Sequence, residues 1–149
     1  MFPLPTLTHL SRGAARYELP VQSAICNPAP GSTVEIDPLQ PVVDVSGYAV
    51  AGGGRGIVRV EVSTDGGETW HEASLGEGKE QPFGQAWAWT MWEAEVPLSP
   101  ALRSNRVELM CRAIDTSMNT QPGEIKPLWN RRGILNNSWH RVKIEVDGE

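Results

Sequence analysis

The chain is short of cysteine and of long apolar runs, and each shortage excludes a class of protein. Its 149 residues include two cysteines, Cys26 and Cys111, which are too few for a secreted scaffold held together by disulfides. We therefore expect free, buried thiols, with a bridge between an early and a late strand as the alternative. The three histidines lie far apart, so no Cys/His cluster has the spacing of a metal site. No apolar run is long enough to cross a bilayer, and no membrane partner is expected.

Positive charge is also scarce. The formal net charge is -5 at pH 7 and the isoelectric point is about 5.2, whereas nucleic-acid-binding domains carry a basic surface. We therefore expect no nucleic-acid partner. Arginine supplies most of the positive charge, and its planar guanidinium suits interfaces and bidentate contacts with oxyanions.

The length and composition predict one domain after a short leader. A chain of 149 residues with 40% hydrophobic residues can bury one core. Residues 1–18 contain Arg12 and Arg16 and no acidic residue before Glu18, which is typical of a disordered leader or a remnant of an upstream segment, and less so of a targeting peptide. We assign the domain to residues 19–149. The chain does not end in a Ser-Lys-Leu peroxisomal address.

Glycine and proline interrupt every window that is long enough for a helix. There are 15 glycines and 12 prolines, and no such window has an uninterrupted period of 3.6 residues. A period of two residues dominates instead and predicts strands at 43–49, 57–63, 87–96, 107–115 and 142–146, with edge strands at 21–25, 33–36 and 71–75. This pattern predicts an all-β fold, a β-sandwich of about seven strands, with a barrel as the alternative.

Tryptophan is concentrated in the predicted strand at 87–96. Trp87 and Trp89 are two residues apart and share one face of that strand, whereas Trp92 falls on the other. Large aromatic side chains on one face indicate the core. On the opposite face they favour a protein interface, because tryptophan is enriched at interface centres.

Carboxylates occupy alternating positions of the predicted strands, as on a solvated face. We expect Asp115, which precedes Thr116 and Ser117, to organise a turn rather than to transfer a proton. The residues of this group are Glu93, Glu95, Glu108 and Asp115.

The segment Ser63–Trp70, STDGGETW, fits the S-x-D-x-G-x-T-W pattern of sialidase-type propeller hairpins. Its Asp-Gly-Gly supplies the positive φ values of a tight turn, and the Asp and Ser side chains can accept the turn amides. A propeller needs several copies and the chain has one. We therefore predict a structural hairpin rather than a glycosidase site.

The segment Ala51–Gly56, AGGGRG, looks like a phosphate-binding loop. Such a loop leads from a strand into a helix, but here a strand is predicted to follow, so no helix N-terminus receives the phosphate. We predict a connection between strands, whose Arg55 is a candidate contact with a partner domain.

The last third of the chain is the most informative. Residues 119–142 contain two tryptophans and three arginines in an irregular pattern, which is typical of loops that carry function. The sequence Trp129-Asn130-Arg131-Arg132-Gly133 resembles the C-terminal domain of sulfite oxidases and of the related plant-type nitrate reductases. The resemblance includes the Gly-rich segment and the hairpin, and it runs from Leu19 to Val146.

The resemblance implies an immunoglobulin-like (E-set type) β-sandwich that forms a homodimer. It implies a partner domain, in cis or in trans, that binds the molybdenum-molybdopterin cofactor and carries the chemistry, so that this chain holds no cofactor and is not catalytic alone. The parent protein would be a sulfite oxidase-like oxidoreductase that converts sulfite to sulfate. The implied compartments are the mitochondrial intermembrane space and the cytosol.

The resemblance also implies one substrate-binding residue, Arg132, since the arginine of the family's Trp-Asn-x-Arg-Gly segment points to the substrate pocket and a guanidinium matches an oxyanion. In an isolated domain, Arg131 and Arg132 would be an ordinary pair of surface arginines. Arg55, Trp129 and Arg131 are candidate interdomain contacts, and no catalytic or metal-ligating residue is predicted. Plant-type nitrate reductases typically have methionine at the position of Arg132, which favours the sulfite branch. The alternatives are the matching nitrate reductase domain and a free-standing immunoglobulin-like interaction module.

Overall fold

The computed structural model of the protein describes residues 18–98, 105–129 and 135–147. Within these ranges the chain forms nine β-strands and one 3-10 turn, Lys126–Leu128. The strands are β1 Gln22–Asn27, β2 Thr33–Glu35, β3 Val42–Val50, β4 Ile57–Ser63, β5 His71–Glu72, β6 Ser74–Leu75, β7 Thr90–Pro97, β8 Arg106–Asp115 and β9 His140–Asp147.

The strands form two sheets around one core. One sheet has the order β1-β3-β7-β6 and the other the order β2-β9-β8-β4-β5. All paired strands are antiparallel except β2 and β9. Valine is the commonest residue in the core between the sheets, and Ile25, Trp92, Leu109 and Ile144 are among its larger members. The all-β, two-sheet prediction is confirmed, and the strand order is compatible with an immunoglobulin-like type.

Alternation of side chains explains why these segments become strands. In β3 the side chains of Val43, Val45 and Ala49 are buried, whereas Asp44 between them is exposed. The strands predicted at 43–49, 57–63, 107–115 and 142–146 are confirmed, with ends that differ by at most two residues. The described strands number nine rather than seven because the short segments also pair, two of them over only two residues.

The edge segment predicted at 71–75 crosses from one sheet to the other. β5 pairs with β4 in the five-stranded sheet, and β6 pairs with β7 in the four-stranded sheet. Between them Ala73 is buried, and its N–H donates to the carbonyl of Val60 over 2.9 Å. The segment therefore joins the edges of the two sheets on this side of the sandwich.

The long aromatic strand predicted for 87–96 is wrong at its start. Strand β7 begins at Thr90, so Trp87 and Trp89 lie in the preceding loop and do not share a strand face. Their side chains are 68% and 52% exposed, whereas Trp92 is 2% exposed and belongs to the core. Of the three tryptophans, only Trp92 therefore confirms the prediction that this strand contributes a tryptophan to the core.

Hydrogen bonds within the loop explain why the strand starts late. The Gln81 side chain accepts from the N–H of Ala88 over 2.8 Å and donates to its carbonyl over 3.0 Å. The N–H of Ala86 donates to the carbonyl of Gly54 over 3.1 Å. These backbone groups are therefore already engaged and do not extend the strand ladder.

Both cysteines are free, as predicted, but only one is buried. Cys26 is exposed, because the register of β1 against β3 shifts between Ile25 and Asn27. Burial raises the pKa of Cys111 to about 12, so its thiol stays protonated. It lies 3.3 Å from the Ser23 hydroxyl and packs as a small core residue.

Candidate functional site

A cleft of about 760 Å³ is lined by described residues that precede and follow the two predicted arginines in the sequence. It is lined by Gln22–Ala24, Tyr48, Gln121, Gly123–Lys126 and Asn136–Arg141. Arg131 and Arg132 lie outside the described residues. The described chain on both sides of them, at Lys126 and at Asn136, lines this cleft. The cleft is therefore the candidate site to which the sequence analysis points.

Gln121 is the centre of a buried hydrogen-bond network beneath the cleft. Its side chain is 3% exposed. The Oε1 atom accepts from the Ser23 hydroxyl over 2.7 Å and from the N–H of Ala113 over 2.9 Å. The Nε2 atom donates to the carbonyls of Asn137 and Ser138 over 3.1 and 3.3 Å. A buried amide with all of these partners holds the chain in one arrangement at the exit from β8 and the entry to β9.

Trp139 closes the base of the same segment. Its indole N–H donates to the carbonyl of Gln121 and its backbone N–H donates to the carbonyl of Pro122, each over 3.0 Å. The ring packs on Gly123, where an added Cβ would lie 3.1 Å from the ring. The two ends of residues 122–136, which we call the C-terminal loop, are therefore bonded to each other.

The same tryptophan packs against the hairpin through Arg112. The Arg112 guanidinium carbon lies 4.0 Å from the Trp70 ring centroid and 5.6 Å from that of Trp139. The two rings are 4.9 Å apart and close to perpendicular, and Arg112 Nε donates to Glu61 over 2.7 Å. Cation–π contacts of this kind are attractive, so they join the hairpin to the base of the C-terminal loop.

The predicted structural hairpin at Ser63–Trp70 is confirmed. Asp65 Oδ1 accepts from the N–H groups of Glu68 and Thr69 over 3.0 and 2.9 Å. Gly67 has a φ of 90°, a conformation that favours glycine. Burial raises the pKa of Asp65, but the hydrogen bonds, those of Thr69 foremost, lower it more, to about 2. The Asp65 carboxylate therefore stabilises the turn by accepting hydrogen bonds from its N–H groups.

Arg55 forms ion pairs within the domain. Its Nε atom lies 2.7 Å from Asp115 Oδ2, and its Nη1 atom lies 2.6 Å from Glu18 Oε2. The Arg55 side chain is 22% exposed. The contact with a partner domain stays a prediction. Within the described structure, Arg55 stabilises the domain by joining the Gly-rich segment to Asp115 at the end of β8. The Gly-rich segment leads into β4, as predicted.

Asp115 is the buried partner of Arg55. Its carboxylate is fully buried and accepts from the N–H groups of Ser117 and Asn119 and from the Asn119 side chain, each over 2.9 Å. Burial raises its pKa, but hydrogen bonds from Asn119, Arg55 and Ser117 outweigh burial and hold the pKa below its ordinary value. The predicted role in a turn is confirmed. The predicted solvated position is wrong, because a guanidinium covers the carboxylate.

Trp129 presents a large apolar surface next to the 3-10 turn. It is 74% exposed, and its N–H lies 3.4 Å from the carbonyl of Lys126. Exposed indoles are enriched at protein interfaces. The interdomain role of Trp129 stays a prediction.

His140 serves the structure rather than a metal. Its Nδ1 atom accepts from the N–H of Ile25 over 3.1 Å, and burial lowers its pKa, so the ring is neutral near pH 7. Among the described residues no group of three or more His, Cys, Asp or Glu side chains is placed to hold a metal ion. Nor does that part of the chain contain a helix long and apolar enough to span a membrane.

The sequence analysis missed Gln121 and Asn137. Asn137 is buried and donates from its side chain to the carbonyl of Val21 over 2.9 Å. Polar residues in irregular segments follow no period, and their partners lie far away in sequence. The only sequence signal was the density of Asn and Gln around the two tryptophans, which does not indicate which side chain is buried.

The family model described as the Mo-co oxidoreductase dimerisation domain matches residues 13–147. The mitochondrial sulfite oxidase of Rattus norvegicus is 48% identical over 131 residues, which are 87% of this chain and 22% of that protein. The sulfite oxidase of Arabidopsis thaliana is 41% identical over 138 residues, 88% of this chain and 33% of that protein. The NAD(P)H nitrate reductase of Hordeum vulgare is 41% identical over 133 residues, 87% of this chain and 14% of that protein.

A solved structure has a similar fold. The sulfane dehydrogenase SoxCD from Paracoccus pantotrophus superposes with a TM-score of 0.61 and 26% identity, covering 88% of this chain and 31% of that one. The chain thus spans a third or less of the length of each of these relatives.

Proposed function

The chain belongs to the Mo-co oxidoreductase dimerisation domain family, and on that premise we propose that it is the self-associating domain of a sulfite oxidase-like molybdoenzyme. The observation that carries this is the family match over residues 13–147. The identity to rat sulfite oxidase is 48%, against 41% to both the Arabidopsis sulfite oxidase and the barley nitrate reductase, and the higher value favours the sulfite branch. The parent enzyme, rather than this domain alone, would convert sulfite to sulfate, in the mitochondrial intermembrane space or in the cytosol.

In this proposal the chemistry belongs to a neighbouring catalytic domain, in cis or in trans. That domain holds the molybdenum-molybdopterin, which supplies the oxygen-atom and electron transfer when bound. The buried thiol of Cys111 suits that group poorly. Metal ligation needs a thiolate, and the buried Cys111 thiol stays protonated because its pKa is raised to about 12.

Arg132 is the residue that we propose to contact the substrate. The support is the sequence Trp129-Asn130-Arg131-Arg132-Gly133 and the cleft lined by the described residues on either side. A guanidinium can donate two parallel N–H bonds to a sulfite oxyanion and stays protonated throughout. Its task would be binding and orientation. Trp129, Arg131 and Arg55 would contact the catalytic domain.

Self-association is tested by the solution mass of the purified chain. Sedimentation equilibrium over a wide concentration series is expected to show a monomer–dimer equilibrium. A chain that stays monomeric throughout would contradict self-association of the isolated domain.

The role of Arg132 is tested in the enzyme that contains this domain. Arg132→Met is expected to raise the KM for sulfite about tenfold or more, because a hydrogen bond to a charged group contributes roughly 1.5–3 kcal/mol. Arg131→Met is the comparison variant: it removes the same charge one residue away, from a residue proposed to contact the catalytic domain rather than the substrate, so its effect on the KM for sulfite is expected to be smaller. Equal effects of the two substitutions would contradict the assignment, and turnover of nitrate in place of sulfite would favour the nitrate reductase alternative.

A further inference from the structure

The exposed side chains of Trp89 and Met91 lie beside the half-buried Tyr48 on the outer face of the four-stranded sheet, and Trp87 lies two residues before Trp89 in the loop that leads into β7. The Tyr48 and Trp89 ring centroids lie 4.2 Å apart, and Met91 is the partner of Tyr48 in the β3–β7 register. Met91 is 50% exposed, and Trp87 and Trp89 are more exposed still. We call Tyr48, Trp87, Trp89 and Met91 the aromatic surface.

The aromatic surface is preformed. Tyr48 and Met91 lie on central strands, and the loop that carries the two tryptophans is held by Gln81 and by the contact with the Gly-rich segment. Thr90 adds a hydrogen bond from its hydroxyl to the carbonyl of Gly78 over 3.2 Å. Rigid aromatic side chains lose little conformational entropy on binding, so this surface is suited to form an interface.

Charge distinguishes this surface from the rest of the same face. At the other end of the sheet, Asp44 is the partner of Glu95 in the β3–β7 register. Glu93 lies two residues before Glu95 and therefore on the same face of β7. Two copies that met through this end would bring like charges together, which is unfavourable. A symmetric dimer uses the same patch on both subunits, and the aromatic surface contains no charged residue.

On the outer face of the five-stranded sheet, the described aromatic rings are already engaged, because Trp70 and Trp139 pack on Arg112 and on each other. Several charged side chains of that face are paired within the chain, for example Arg112 with Glu61 and Arg141 with Glu108. A contact made there would have to desolvate or rearrange these pairs, which costs free energy.

We propose that a second copy of this chain packs against the aromatic surface, with Trp87 and Trp89 at the centre of a two-fold contact. The inference rests on the proposed function, which requires self-association but does not say which face provides it. Tryptophan often contributes most of the binding energy of an interface. Because the contact is two-fold, each tryptophan is present at the interface once from each subunit.

The experiment compares Trp87→Ser/Trp89→Ser with the wild-type chain by sedimentation equilibrium. The dimer dissociation constant is expected to rise by at least about a hundredfold, since central interface residues often contribute about 2 kcal/mol or more each. The matched control is Leu39→Ser, which removes a side chain that is 90% exposed in the turn before β3, away from the aromatic surface. Leu39→Ser is expected to leave the dissociation constant unchanged.

Met91→Lys is a second variant that leaves the loop intact and places two like charges at the contact. It is expected to weaken the dimer as well, with far-ultraviolet circular dichroism unchanged from the wild type. If the wild-type chain dimerises and both aromatic-surface variants dimerise equally well, this assignment is overturned but self-association is not. The aromatic surface would then be a candidate contact with the catalytic domain instead. A wild-type chain that remains monomeric overturns the assignment together with self-association.

Discussion

The ion pair of Arg55 and Asp115 shows how a fully buried carboxylate is accommodated. Asp115 is covered on one side by the guanidinium and on the other by the amides of the turn that follows β8. The pair joins the Gly-rich segment before β4 to the end of β8. A buried charge without such partners is strongly destabilising.

We expect Asp115→Asn to lower the free energy of unfolding by about 1.5–3 kcal/mol, the contribution of hydrogen bonds to charged groups. The amide oxygen of the new asparagine can still accept from the turn N–H groups. Its NH2 group then faces Arg55, so the Nε–H of Arg55 loses its acceptor. Urea unfolding at pH 7 measures the change. Glu93→Gln, on the exposed face of β7, is the control and should be close to neutral. A wild-type-like Asp115→Asn would contradict the account.

At the residue scale, local chemistry was predictable and long-range pairing was not. The roles of Asp65 and Asp115 in turns follow from neighbours within four residues. The burial of Asp115 depends on Arg55, which is 60 positions away in sequence. Strand alternation gave no reason to expect that a guanidinium would cover this carboxylate.

Strand β3 depends on one glycine for its packing. Gly47 pairs with Ile25 on one side and with Trp92 on the other. An added Cβ would overlap the carbonyl oxygen of Ala24 and lie 2.7 Å from Trp92 Cζ2. The absence of a side chain is what allows β1 and the core tryptophan to lie so close to this strand.

Gly47→Ala is expected to destabilise the domain by about 1–3 kcal/mol or more, because backbone and a packed indole must both move. The comparison is Gly56→Ala, where the nearest atoms to an added Cβ are 3.7 Å away. Thermal unfolding followed by circular dichroism should show a clear fall in Tm for Gly47→Ala alone. Equal effects of the two variants would argue against tight packing at Gly47.

At the scale of elements, the regular strands were predictable because burial on one face imposes a period of two. The loop before β7 was not, since Trp87-Ala88-Trp89 continues the alternation while its backbone is engaged elsewhere. The base of the C-terminal loop was also missed, because Gln121 finds partners from three distant segments.

His140 links the two halves of the molecule. It lies on β9 in one sheet and accepts from the N–H of Ile25 in β1 of the other. Burial lowers its pKa below the ordinary value of 6.5. The unfolded chain therefore binds this proton at higher pH than the folded chain does, and stability from this residue is complete above about pH 6.5 and is lost as the pH falls towards the folded pKa.

The wild-type free energy of unfolding is therefore expected to fall with pH below about 6.5 and again below about 4, where Asp65 and Asp115 have lowered folded pKa values. His140→Asn keeps an acceptor near the Nδ1 position and should abolish the first loss while leaving the second. Urea midpoints measured across this pH range test the prediction. Identical slopes between pH 6.5 and 5 in the two proteins would refute it.

For the whole molecule, the all-β class and the family were accessible from the sequence. The family signal lies in short motifs of fixed order, and the match over residues 13–147 confirms it. The proposed substrate contact of Arg132 rests on that signal and on the cleft lined by described residues on either side of it in the sequence. No rule of periodicity or charge would have selected Arg132 over Arg131.

The hydrogen bonds that join the two ends of the C-terminal loop separate the residues of the sandwich from the residues within the loop. Gln121 and Trp139 hold the two ends together beneath the cleft, so the strands on either side are kept in place by bonds that the residues between Gly123 and Asn136 do not make. Such a loop can be exchanged as a unit. A change of sequence inside the loop is therefore expected to cost the sandwich little free energy, because Gln121 and Trp139, which join its ends, lie outside the loop.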